Sequence, residues 1–148
     1  MNLTTTIPSD PTKVGASPSF WYGLQTERGT GALIQPILAW GQLKVSGWGI
    51  FHEVFDWNNG HDSRSPQAYE MQAGDVLTQS VVYVPANNSY SMFIASANTG
   101  KSISWNYALE RKQGAVPEST AYIVVEHAPE DCAMFPSNGN ITFVDIGP

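Results

Sequence analysis

Apolar and polar residues alternate with a period of two over much of the chain. Ile103, Trp105, Tyr107 and Leu109 alternate with Ser102, Ser104, Asn106 and Ala108, and Tyr90, Met92 and Ile94 alternate with Ser89 and Ser91. Asn98-Thr99-Gly100-Lys101 between them has turn composition, so the two runs predict a β-hairpin. Val76–Val84 reads as a strand from its β-branched residues, after a turn at Ala73-Gly74-Asp75. Phe20–Leu24, Ala32–Leu43 and Gly47–Trp57 are apolar runs. Turn residues at 26–31 and at Asn58-Asn59-Gly60 end the first and the last of them. His61–Gln67 reads as a polar loop. Ala121–Glu126 and Asn140–Ile146 add two strands, with Pro129 and Pro136 bracketing the loop that joins them. Residues 1–19 are rich in Thr, Ser and Pro and lack periodicity, which predicts an extended arm with at most an edge strand. No stretch holds a 3.6-residue period. The chain is therefore expected to be all-β, a sandwich or barrel formed by residues 20–148.

Composition narrows the function. The 148 residues suit one domain, and 42% hydrophobic residues suffice for a core. Thirteen acids against seven bases give a net charge of −6, which leaves no electrostatic footprint for nucleic acid or an anionic membrane. Charged residues make up only 14% of the chain. Sparse charge suits an acidic medium, because few carboxylates are lost to protonation. A single cysteine, Cys132, excludes an internal disulfide and a Cys-rich zinc site. It lies beside Glu130 and Asp131, which disfavour a thiolate, so it reads as a packing residue. The start, Met1–Thr6, has neither the basic nor the apolar region of a signal peptide. Sequons at Asn2, Asn87 and Asn140 lean towards secretion.

The common catalytic signatures are missing. No HxH or HExxH spacing occurs, and His52 and Glu53 are strand neighbours that point to opposite faces, so no metal site or cofactor is expected. Neither a G-x-S-x-G elbow nor a phosphate-binding glycine loop is present. Two polar residues stand inside apolar strands. Gln35 interrupts Ala32–Leu38, and Glu126 ends Ala121–Glu126 on the face of Tyr122 and Val124. A carboxylate among apolar residues is partly desolvated and suits acid/base work. Equally, Gln35 can satisfy a backbone group and Glu126 can simply end a strand in water.

The order of these segments is similar to that of the glutamic peptidases, or eqolisins. Phe20-Trp21-Tyr22-Gly23-Leu24-Gln25 resembles the family's W-V-G-I-D strand, and Ala32-Leu33-Ile34-Gln35 its A-I-L-Q segment. Phe51-His52-Glu53-Val54-Phe55-Asp56 resembles the tyrosine-rich Y-E-W-Y-P strand. Gly74-Asp75-Val76 resembles G-D-x-I, and Asn98-Thr99-Gly100 an N-x-T-T-G turn. Residues 120–129 resemble A-E-W-I-V-E-x-P, and Phe135-Pro136 with Ile141-Thr142-Phe143 the closing strand. The resemblance covers about residues 20–145 and implies a concanavalin-like antiparallel β-sandwich.

It further implies an acid endopeptidase acting on polypeptides, with Glu126 as acid/base and Gln35 as its partner. Trp21, Gln25, His52 and Glu53 are implied to bind substrate. The chain departs from the family at Gln25 and Ala39, where the family has Asp, and at His52 and Val54, where it has Tyr and Trp. The family's N-terminal strand has no counterpart in residues 1–19, so an open sheet edge is expected, covered by a second copy of the chain. The alternative is a non-catalytic peptide- or carbohydrate-binding, lectin-like module on the same sandwich, with the five tryptophans as stacking surfaces.

Overall fold

A computed structural model describes residues 1–13, 15–25, 31–57, 60–109, 120–126 and 131–147. In chain order the strands are β1 (Asn2–Thr6), β2 (Ser19–Gln25), β3 (Ala32–Trp40), β4 (Trp48–Asp56), β5 (His61–Arg64) and β6 (Tyr69–Met71). They continue with β7 (Val76–Val84), β8 (Ser89–Ser96), β9 (Ser102–Ala108), β10 (Thr120–Glu126) and β11 (Thr142–Gly147). They form two sheets in which every pairing is antiparallel. The first sheet runs β11-β1-β7-β8-β9. The second runs β10-β2-β3-β4-β5, with β6 also paired to β4.

Alternation explains the layering. Tyr90, Met92 and Ile94 of β8 are fully buried in the interlayer core, the first two clustered with Tyr22, Ile34 and Val54 of the second sheet and Ile94 with Phe20, Leu38 and Ile50. The second sheet is apolar on its other face as well. Trp21, Ile37, Ala39 and Phe51 form a separate buried cluster there, with Leu43, Ala68 and Val124 packed against it. This accounts for the nearly continuous apolar run of β3, since a strand covered on both faces has no polar side to show.

Four expectations need correction. Residues 1–19 are not an arm beside the sandwich: β1 lies inside the first sheet, between β7 and β11. Leu3 and Thr5 face inward at 1% exposure. In Asn2-Leu3-Thr4-Thr5-Thr6 the period is hidden because the buried Thr5 reads as polar. The sheet position expected to be empty is thus filled by the chain's own N-terminus. His61–Gln67 is not wholly loop, because His61–Arg64 forms β5. It showed no apolar signal because His61, Asp62 and Arg64 are exposed; ion pairs hold Asp62 and Arg64 instead. The run from Ala32 stops at Trp40. Gly41, Leu43 and Lys44 then take positive φ and turn the chain. The short strand β6 was not foreseen. Turn residues 26–30, Asn58 and Asn59, and the segment around Pro129, lie outside the described residues.

Candidate active site

The register of the second sheet fixes which side chains share its outer face. Gln35 of β3 is paired with Glu53 of β4, and Glu53 in turn with Arg64 of β5. On β10 and β2, Val124 is paired with Trp21 and Glu126 with Ser19. Trp21 is paired with Ile37 and Ile37 with Phe51. With a side-chain period of two, Gln35, Glu53, Trp21 and Glu126 all project from one face, over the apolar cluster of Trp21, Ile37 and Phe51.

Glu126 is held in place from two sides. Trp21 Nε1 donates a 2.8 Å hydrogen bond to Glu126 Oε2, and Ser19 Oγ donates to the Glu126 backbone carbonyl at 3.4 Å. Gln35 is buried at 2% exposure. Beside it the β2–β3 ladder is interrupted. Paired positions Trp21/Ile37 and Leu24/Ile34 flank a gap that contains Pro36, which has no N–H to donate. Gly23 lies in that gap, and a Cβ there would run into the carbonyl oxygen of Ile34. Without a side chain at Gly23, β2 and β3 can approach closely beside Gln35.

Glu53 is the second carboxylate of this face. Arg64 Nε donates to Glu53 Oε2 at 2.6 Å, and Arg64 Nη2 lies 3.2 Å from Asp62 Oδ2. Burial pushes the Glu53 carboxyl above its ordinary range. The Arg64 charge and hydrogen bond oppose that rise, while the negative charges of Asp62 and Glu126 add to it. Gln35, Glu53 and Glu126 thus share one face over an apolar floor, with Gln35 and Glu53 directly paired and Glu126 on β10, two strands from Gln35.

The six expected site residues separate into two groups. Gln35, Glu126, Trp21, Glu53 and Gln25 share the outer face; Gln25 is paired with Leu33 and Thr120, one row beyond Gln35. His52 does not belong with them. It is paired with Pro36, points into the interlayer core and is 0% exposed, so it cannot touch a substrate on the outer face. Its Nε2 donates to the carbonyl of Ile103 at 3.2 Å, which fixes the tautomer and leaves Nδ1 buried with no partner. Burial lowers the His52 pKa to about 4, against the contribution of the Ile103 hydrogen bond. Arg64, which ties Glu53 into the site, was missed because the segment looked like loop. Among the described residues, no three His, Cys, Asp or Glu side chains gather as a metal-holding group.

This architecture is that of the glutamic-peptidase sandwich. It resembles scytalido-glutamic peptidase solved with a transition-state analogue inhibitor, at 17% identity and a TM-score of 0.61 over 97% of this chain and 68% of that one. A second structure of that peptidase, with a peptide-based transition-state analogue, gives 20% identity and a TM-score of 0.62 over 96% and 64%. SCP-B, described as an eqolisin-family peptidase in complex with the tripeptide Ala-Ile-His, gives 20% identity and a TM-score of 0.55 over 96% and 63%. The chain thus spans about two thirds of the length of these proteins. No curated protein matches by sequence. Residues 3–147 match the Peptidase A4 family, and the chain belongs to it. By family it is a glutamic-type peptidase, a hydrolase.

Proposed function

We propose that this protein is an acid endopeptidase that hydrolyses peptide bonds in polypeptides lying across the outer face of the second sheet. The observation that carries the reading is the fixed carboxylate of Glu126, hydrogen-bonded to Trp21 on the same face as Gln35. Glu126 takes a proton from a water molecule as that water attacks the scissile carbonyl. The Gln35 amide donates to the oxyanion of the tetrahedral intermediate. Glu126 then passes its proton to the leaving nitrogen, the C–N bond breaks, and the glutamate returns to its starting state.

Glu53 supplies a physical reason for an acidic optimum. It stands beside Gln35, and its charge would oppose an oxyanion there. Burial raises its carboxyl, so mild acid neutralises Glu53 more readily than an ordinary glutamate. Activity is expected to fall as pH rises and Glu53 becomes charged. An acidic extracellular setting fits this chemistry. The test is digestion of casein or a quenched peptide across acidic pH by the native chain and by Glu126→Gln. If both cleave alike, Glu126 is not the acid/base. If neither cleaves while peptides or sugars bind, the face belongs to a non-catalytic binding module.

A further inference from the structure

The row that begins at Gln35 ends in a cleft lined by two basic side chains, Lys44 and Arg64. Beyond Glu53 it reaches Arg64, which lines a cleft of about 370 Å3 together with Leu43, Lys44, Ser65, Pro66 and Ala68. The cleft opens onto the same outer face, because Leu43 and Ala68 pack against the cluster of Trp21, Ile37 and Phe51. Its floor forms where β4 changes partner from β5 to β6. There Ser65 takes over both backbone groups of His52: Ser65 N donates to the His52 carbonyl at 2.9 Å, and His52 N donates to Ser65 Oγ at 3.0 Å.

Two observations suit this cleft to a carboxylate. First, it holds two of the seven bases in a chain of net charge −6, with the charge of Arg64 shared with Glu53 and Asp62 and Lys44 the exposed cation beside it. Arg64 gives Nε to Glu53 and Nη2 to Asp62, and at 44% side-chain exposure it still faces solvent. Lys44 is exposed. Second, Lys44 is placed there at a conformational cost. Leu43 and Lys44 take φ of 50° and 66°, consecutive left-handed positions occupied by side chains other than glycine. Each such residue costs about 1 kcal/mol, and strain of this kind tends to persist where it serves a site.

We propose that this cleft is a specificity subsite that takes an acidic side chain, Asp or Glu, of the peptide substrate, with Lys44 and Arg64 flanking its carboxylate. The proposal rests on the peptidase reading and adds the substrate class to it. From β3 to β5 is two strand spacings, about 10 Å, and an extended peptide advances about 3.3 Å per residue. The acidic residue therefore sits about three positions from the scissile bond. Because a peptide glutamate loses its charge below about pH 4, the preference belongs to the less acidic part of the activity range.

The test uses the full chain and matched peptides that differ only by Glu or Gln, scanned over three positions on each side of the scissile bond. The expected result is one position where Glu is favoured in kcat/KM by about fivefold at pH 5.5 and not at pH 3. Lys44→Glu should abolish or reverse that preference within the same peptide pair, and Lys44→Gln should weaken it. Equal cleavage of Glu and Gln peptides at every position overturns the subsite, as does a preference that Lys44→Glu leaves intact. If no peptide is cleaved, the peptidase reading fails on its own, and calorimetric binding of the same peptides reads the cleft directly. Tighter binding of the Glu peptide, lost in Lys44→Glu, supports the subsite; equal binding of the two overturns it.

Discussion

Trp21 and Glu126 lie on neighbouring strands, and the indole Nε1 of Trp21 donates a 2.8 Å hydrogen bond to Glu126 Oε2. One bond joins the apolar floor of the outer face to the carboxylate proposed as its acid/base group. Trp21 is buried at 6% exposure within the outer cluster, so its donor is fixed by packing before any substrate arrives. Trp21→Phe keeps most of the ring and removes the donor. Hydrogen bonds to charged groups contribute about 1.5–3 kcal/mol, so kcat should fall roughly 10- to 100-fold. Steady-state kinetics beside a thermal melt separates the two effects. A kcat unchanged from wild type would remove Trp21 from the positioning of Glu126.

Gln35 is given the oxyanion. Gln35→Ala should lower kcat by about 100- to 1,000-fold, the usual loss for one oxyanion donor. KM should change little, because the donor acts on charge that develops only in the transition state. A variant that raised KM alone would make Gln35 a substrate-binding residue.

Stability should depend on pH through His52. Its folded-state pKa of about 4 lies below the ordinary 6.5, because burial disfavours the cation. The unfolded chain therefore binds the proton more readily, and stability is lost as pH falls from about 6.5 towards 4. The loss approaches about 3 kcal/mol. Glu53 acts in the opposite sense. Its raised carboxyl contributes stability below the unfolded pKa of about 4.5, and that contribution is lost as pH rises through the folded value. Urea unfolding at pH 7 and pH 4, with and without His52→Gln, reads this directly. The slope between those pH values should flatten in the variant.

Gly23→Ala tests the close approach beside Gln35. The added Cβ meets the Ile34 carbonyl, a backbone atom that cannot rotate away. Overpacking of this kind costs about 1–3 kcal/mol. Chemical denaturation should show that loss, and an unchanged midpoint would mean that β2 shifts freely against β3.

Legibility from sequence followed burial. The β8–β9 hairpin was plain because Tyr90, Met92 and Ile94 are buried while the residues between them are less so. β5 was invisible because its alternation carries charge, with Arg64 tied to Glu53 and Asp62, and little apolar surface. β1 was misread because Thr5 is buried, its hydroxyl donating to the Thr142 carbonyl at 2.8 Å. His52 was misplaced for a related reason. Both faces of β4 are apolar, with Ile50 and Val54 on one side and Phe51 and Phe55 on the other, so periodicity could not say which face looks outward. Gln35 and Glu126 stood out as polar interruptions in apolar strands. The bond from Trp21 did not, since no spacing rule links positions 21 and 126.

In the proposed reaction Glu126 moves the proton in peptide hydrolysis. Its most direct test is the pH–rate profile of one quenched peptide with the native chain and with Glu126→Gln, after melts show both are folded. Cleavage by the native chain should be strongest in acid. The variant, which keeps the side-chain volume and removes the base, should lose about 100- to 10,000-fold in kcat. A Glu126→Gln variant that retains the native rate at its acidic optimum would show that Glu126 is not the acid/base.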